Sequence, residues 1–186
     1  ARACGTEQKL LRRRCSWAGW ATLASLILLQ IFYTMCYLVL PAAENSAGYY
    51  FEVTFAYTAG FSLAAILLTR ALHMPLNAAL PMQKTGVLTA AAACNLANYP
   101  ANIIATLLES AGLSGSVPSY QVDSSPLACV MLVVSSCVVP ALVEEFLFRG
   151  VILRSLMRFG TGFAIVASSL LFALMHGNIS QIVFAF

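Results

Sequence analysis

Long apolar runs separated by short polar links dominate the chain. Four of them extend roughly over residues 17–40, 53–72, 87–108 and 127–143. An α-helix of about 20 mainly apolar residues is long enough to cross the hydrocarbon core of a bilayer. A signal peptide has a shorter apolar region, so we interpret the first run as a retained helix. The pattern therefore predicts a set of helices that span a membrane.

Composition agrees with this pattern and narrows the class of protein. Hydrophobic residues make up 60% of the chain and charged residues 9%, whereas about 25% of residues are charged in soluble domains. The net charge of +3 comes mostly from a few basic clusters, so we expect no nucleic-acid partner. The six cysteines show no CxxC spacing, which argues against a disulfide framework or a zinc knuckle. We expect an all-α fold, a polytopic transmembrane helical bundle surrounded by a lipid bilayer.

The two ends of the chain affect the expected number of spans. The sequence begins at Ala1 without a methionine and stops at Phe186, inside a new apolar run that is too short to cross a bilayer. We expect about five spans, followed by the start of a further helix that is cut off at the C-terminus. Residues 1–126 would form three N-terminal transmembrane helices. Residues 127–186 would form the second part of the same membrane domain, and this part would be incomplete at its C-terminus.

Most basic residues lie before the first predicted helix or in alternate links between the helices. They are Lys9, Arg12, Arg13, Arg14, Arg70, Lys84, Arg154 and Arg158. The other two links carry Glu44, Glu52, Glu109 and Asp123 and contain no lysine or arginine. By the positive-inside rule, we expect the N-terminus and the basic links to be cytoplasmic.

The third helix carries alanine at every fourth position from Ala93 to Ala105. Such a stripe of small residues lets a neighbouring helix approach closely. Asn95, Asn98 and Asn102 lie on another part of this helix. We interpret these amides as hydrogen-bonding links between helices, with the lining of a polar cavity as the alternative.

Charged side chains interrupt the apolar sequence near the end of the fourth run. They are Glu144, Glu145 and Arg149, and His176 follows in the next apolar stretch. An ionisable group at membrane depth costs about 3 kcal/mol, so such groups pair, line cavities or take part in chemistry. Glu145 and Arg149 are four residues apart and are predicted to pair on one helix face. Glu144 has no basic residue three or four positions later, which makes it the candidate general base.

Glycines at positions 160 and 162 predict a turn between two antiparallel helices. The helix with the acidic pair would end near Phe159, and the returning helix would reach His176. Glu144 and His176 each lie about sixteen residues from the turn, so both reach the same level, about 24 Å from it in ideal helices. Pro140 is predicted to disrupt the backbone beside Glu144 and give room for water. The alternative is structural: Glu145 and Arg149 neutralise one another, Glu144 reaches an interface, and His176 donates a hydrogen bond within the bundle.

Two motifs resemble those of a known family. Glu-Glu-x-x-x-Arg at residues 144–149, followed by Phe-x-x-x-His at residues 172–176, is similar to the CPBP family of intramembrane proteases (CAAX proteases and bacteriocin-processing enzymes, also called the Abi family). The resemblance covers about residues 127–186, which would be a partial catalytic core. It implies a CAAX prenyl endopeptidase type of peptidase with Glu144, Glu145, Arg149 and His176 in the catalytic site. The family's third motif, a histidine four residues before an asparagine, is expected beyond Phe186.

The resemblance implies hydrolysis of a hydrophobic or prenylated peptide or protein. Glu144 and His176 would activate the water, either without a metal or as ligands of a divalent ion such as zinc. We expect an integral protein of a bacterial cell membrane. Two other functions stay open from the sequence: a non-catalytic member acting in bacteriocin immunity or scaffolding, and a proton-coupled transporter.

Overall fold

The computed structural model describes residues 2–75, 87–113, 121–122, 125–177 and 179–185. Its helices are α1 (Arg2–Val39), α2 (Ala47–Ala71), α3 (Val87–Ser110), α4 (Pro126–Phe159), α5 (Thr161–Met175) and α6 (Ile179–Ala185). No strand occurs in these described ranges, and the predicted all-α fold class is confirmed.

Helix length and apolarity identify a membrane bundle. Among the residues that the structure describes, residues 5–39 of α1, all of α2 and all of α4 are long and apolar enough to cross a bilayer. Helix α5 is also apolar but has only 15 residues, fewer than the roughly 20 that a crossing usually takes. The protein is a polytopic helical membrane protein, and the count of about five spans stays a prediction.

The first two helices extend beyond the apolar runs that predicted them. Helix α1 begins at Arg2, so the basic residues 12–14 lie within the helix and not before it. Helix α2 begins at Ala47 because the side chain of Ser46 caps it, accepting a hydrogen bond from the Tyr49 amide at 3.2 Å. Glu52 was predicted to lie in a link, which is wrong: it is inside α2 and only 5% exposed.

Helices α1 and α2 form a closely packed antiparallel pair. The rings of Phe32 and Phe55 meet edge to face with centroids 6.3 Å apart. Gly60 lies beside Leu29, where an added Cβ would be 2.7 Å from the Leu29 amide nitrogen. Position 60 therefore needs glycine because the backbones of the two helices approach too closely for a side chain.

The buried core joins these two helices to α4 and α5. Its largest contribution comes from α4 and consists of Val143, Leu147, Phe148, Val151, Ile152 and Leu156. Phe61 and Leu68 of α2 pack into the same core, as does Ala164 of α5. The hairpin of α1 and α2 is thus held directly against the helix that carries the acidic pair.

Polar contacts connect the first turns of α1 with the end of α4. Arg14 Nη1 donates a hydrogen bond to the Ser155 carbonyl at 2.6 Å. Arg158 Nη2 lies 3.0 Å from Glu7 Oε1. These contacts place two of the predicted basic segments at the same end of the bundle.

The predicted alanine stripe of α3 falls only partly on described residues. The side chains of Ala93, Asn95, Ala97 and Asn98 lie outside the described residues. Ala105 is buried, and the helix continues through Pro100. The role of the asparagines stays a prediction.

Replacing Gly60 with alanine tests the close approach of α1 and α2. Because the new Cβ would overlap the Leu29 backbone, we expect Gly60→Ala to lower the free energy of unfolding by about 1 to 3 kcal/mol. Thermal unfolding in detergent measures the change. Gly19→Ala is the matched control in α1, since nothing lies within 4 Å of its added Cβ. Equal melting temperatures for both variants would contradict the proposed helix contact.

Candidate active site

Helices α4 and α5 form the hairpin that the glycines predicted. Helix α4 ends at Phe159, and α5 begins at Thr161. Gly160 alone makes the turn, with a φ of +124° that residues with a side chain rarely adopt. The predicted turn was longer than the observed one, because Thr161 and Gly162 already belong to α5.

Side-chain contacts along the hairpin set its register. The rings of Phe148 and Phe172 meet edge to face with centroids 5.2 Å apart. Glu144 lies four residues before Phe148, and His176 lies four residues after Phe172. In an antiparallel pair both steps lead to the same level. The structure therefore places Glu144 and His176 at the same level of the hairpin.

The backbone of α4 departs from α-helical geometry on both sides of Glu144. Val134–Val138 and Glu145–Leu153 are π-helical, and Val139–Glu144 between them is α-helical. Pro140 is the second residue of the α-helical piece Val139–Glu144. It has no N–H to donate to the preceding turn. The backbone disruption predicted at Pro140 therefore takes the form of wider turns, which are frequent at functional sites.

Glu144 is half-buried and is held by a side chain of α2. The Tyr57 hydroxyl donates a hydrogen bond to Glu144 Oε1. The Tyr57 ring is stacked on Phe61 with centroids 4.6 Å apart and an angle of 13° between the planes. Sequence reasoning missed Tyr57 because its run was interpreted only as an apolar span. The available signal was a phenol hydroxyl inside that span.

His176 lies at the C-terminal end of α5. Its Nδ1 is 3.0 Å from the Phe172 carbonyl oxygen, and its ring meets the Phe172 ring edge to face at 5.0 Å. A proton on Nδ1 donates to this carbonyl and leaves Nε2 with a lone pair. The hydrogen bond that the structural alternative predicts for His176 is thus present at Nδ1. Nε2 can accept a hydrogen bond from water.

The second acid, Glu145, forms the ion pair that its spacing predicted. Arg149 Nε lies 3.2 Å from Glu145 Oε1, and the two side chains are 74% and 49% exposed. An exposed pair contributes only about 0 to 1 kcal/mol to stability. The two neighbouring carboxylates therefore have different partners, Arg149 for Glu145 and Tyr57 for Glu144.

A cavity of about 280 Å³ opens between α4 and α5. Its polar lining consists of Glu144, Glu145, Arg149, Ser168 and Ser169. A water molecule takes up about 30 Å³ in the liquid, so the cavity has room for several waters beside the Glu144 carboxylate. His176, at the end of α5, does not line this cavity.

A zinc site would need more donors than the described residues provide. No three histidine, cysteine, aspartate or glutamate side chains come together in the part of the chain that the structure describes. Glu144 and His176 would supply two donors, whereas catalytic zinc usually has three protein ligands.

Comparison with known families points to the same segment. Residues 126–186 match the family model described as Type II CAAX prenyl endopeptidase Rce1-like. The match runs from α4 to the end of the chain and includes both motifs. It confirms the resemblance to the CPBP family over these residues. No curated protein and no solved structure matches the chain significantly, and the division of the chain near residue 126 stays a prediction.

Ser168 offers a test of the hairpin register. Its buried Oγ donates a hydrogen bond to the Phe148 carbonyl at 2.9 Å, which fixes α5 against the π-helical part of α4. We expect Ser168→Ala to lower the free energy of unfolding by about 0.5 to 2 kcal/mol, measured by thermal unfolding in detergent. Ser16→Ala, an exposed serine of α1, is the matched control. A stability unchanged in both variants would show that the contact does not hold the hairpin.

Proposed function

We propose that the protein is an intramembrane endopeptidase that resembles CAAX prenyl endopeptidases. The observation that carries the proposal is the placement of Glu144 and His176 at one level of an apolar helix pair, with Glu144 lining a polar cavity. The match to an Rce1-like family supports a CAAX-type protease. Glu144, His176, Glu145 and Arg149 would form the described part of its catalytic site.

In the proposed reaction Glu144 acts as general base. Its Oε1 accepts the Tyr57 hydrogen bond, which leaves Oε2 to take a proton from a water molecule held between Glu144 and His176. The water oxygen forms a bond to the scissile carbonyl carbon as the proton moves to Oε2. The tetrahedral intermediate then breaks its C–N bond, and the proton passes from Glu144 to the leaving amine.

His176 and Arg149 have supporting roles in this scheme. His176 accepts a hydrogen bond from the attacking water through Nε2 and holds it beside Glu144. Arg149 balances the charge of Glu145, so the general base does not have an uncompensated carboxylate as its neighbour. The measured metal content of the purified protein, together with activity before and after chelation, distinguishes this scheme from one assisted by a divalent metal.

The position of Glu144 within a membrane helix restricts the substrate. The carboxylate lies fifteen residues before the end of α4 at Phe159, so the scissile bond has to reach the interior of the bundle. A hydrophobic or prenylated peptide enters a bilayer more readily than a polar one. We propose such a substrate, with the basic end of the bundle on the cytoplasmic side.

Alanine replacements at the two central residues test this function. The full-length protein is reconstituted in liposomes, and cleavage of a prenylated or hydrophobic peptide is followed by mass spectrometry. Because general acid–base groups contribute about 100- to 10,000-fold to rate, we expect losses of this order for Glu144→Ala and His176→Ala.

Two exposed residues provide matched controls. Glu109→Ala removes a carboxylate in the last turn of α3, and His73→Ala removes an imidazole just after α2. Both variants should cleave at the rate of the unaltered protein. Equal turnover by the unaltered protein and by Glu144→Ala and His176→Ala would refute the protease function.

A further inference from the structure

Tyr57 contacts the candidate general base from a part of the chain that the family match does not include. It belongs to α2, whereas the match begins at residue 126, and 87 positions separate it from Glu144. We propose that Tyr57 is a positioning residue for the hydrolysis, holding Glu144 Oε1 so that Oε2 faces the attacking water. This inference rests on the proposed function.

The position of the Tyr57 hydroxyl is set by the packing of α2. Its ring is stacked on Phe61, which is completely buried in the core. One residue earlier, Gly60 brings the α2 backbone against Leu29 of α1. The phenol is thus fixed relative to the pair of α1 and α2, so this pair determines where the hydroxyl meets α4.

A hydrogen bond from Tyr57 restricts the directions in which the Glu144 carboxylate can turn. Glu144 and Arg149 line the same cavity and are five positions apart. In the π-helical stretch that begins at Glu145, the backbone hydrogen bonds connect residues five apart. A carboxylate free to rotate can turn toward the guanidinium, and a glutamate paired with arginine is a weaker base. In the proposed role, the Tyr57 hydrogen bond would keep Glu144 turned away from Arg149, which pairs with Glu145.

Tyr57 gains and loses no proton in the reaction. Its hydroxyl donates to Oε1 throughout, while the proton of the water moves to Oε2 and then to the leaving amine. Removing the hydroxyl therefore leaves the chemistry possible but lets the carboxylate adopt other orientations. Misplacement of a reacting group by about 1 Å can reduce a rate roughly 100-fold.

The test uses Tyr57→Phe, which keeps the ring on Phe61 and removes only the hydroxyl. In the full-length protein in liposomes, we expect kcat to fall about 10- to 100-fold while KM changes less than about twofold. The control is Tyr37→Phe, which removes the hydroxyl of an exposed tyrosine of α1 and should leave both constants unchanged. Thermal unfolding of both variants separates a loss of positioning from a loss of structure.

Infrared difference spectra give a second readout that does not depend on activity. Tyr57→Phe should shift a carboxyl band relative to the unaltered protein, because Glu144 loses a hydrogen bond. The same replacement made in a Glu144→Gln background should produce no such shift.

The outcomes separate the two proposals. If Glu144→Ala abolishes cleavage while Tyr57→Phe retains the full kcat, the positioning role is wrong and the protease function stands. If Tyr57→Phe lowers the melting temperature but not kcat per folded molecule, Tyr57 is only structural. Full activity of Glu144→Ala would remove the protease function itself.

Discussion

The hydrogen bond between Tyr57 and Glu144 joins the pair of α1 and α2 to the hairpin of α4 and α5 at the candidate general base. Glu144 lies in a helix of otherwise mainly apolar residues, where an unpaired charge costs about 3 kcal/mol. The Tyr57 phenol from α2 reduces that cost by its hydrogen bond to the carboxylate. The neighbouring Glu145 has its own partner in Arg149. Helices from distant parts of the chain therefore have to pack correctly for Glu144 to be held in place.

Two glycines make this packing possible, each for a different reason. Gly60 lets the α1 and α2 backbones approach, and this approach places Tyr57 beside α4. Gly160 adopts a backbone conformation that reverses the chain after α4, and the returning α5 brings His176 back to the level of Glu144. The register between α4 and α5 is kept by the Phe148–Phe172 contact and by the Ser168 hydrogen bond to the Phe148 carbonyl. The pair of α1 and α2 thus supports the candidate site, although both helices lie outside residues 126–186, the segment that matches the family.

Contacts between residues close in the sequence could be predicted, whereas contacts that depend on how separate helices pack could not. The pairing of Glu145 with Arg149 follows from helical spacing, and the hairpin follows from the glycines near residue 160. Tyr57 could not be identified because its contact with Glu144 depends on how α2 packs against α4. The burial of Glu52 was missed because this polar residue was assigned to a link. The Ser46 cap starts α2 at Ala47, which places Glu52 inside the helix.

A single-turnover reaction in ¹⁸O-labelled water tests most directly whether Glu144 activates a water molecule. The enzyme is mixed in excess with a hydrophobic peptide substrate in liposomes, and both the products and the enzyme peptide containing Glu144 are analysed by mass spectrometry. Direct attack by water places the label in the new carboxylate of the product and leaves the enzyme unlabelled. Label found in Glu144 after one turnover would instead indicate a covalent intermediate on this residue and would contradict the account.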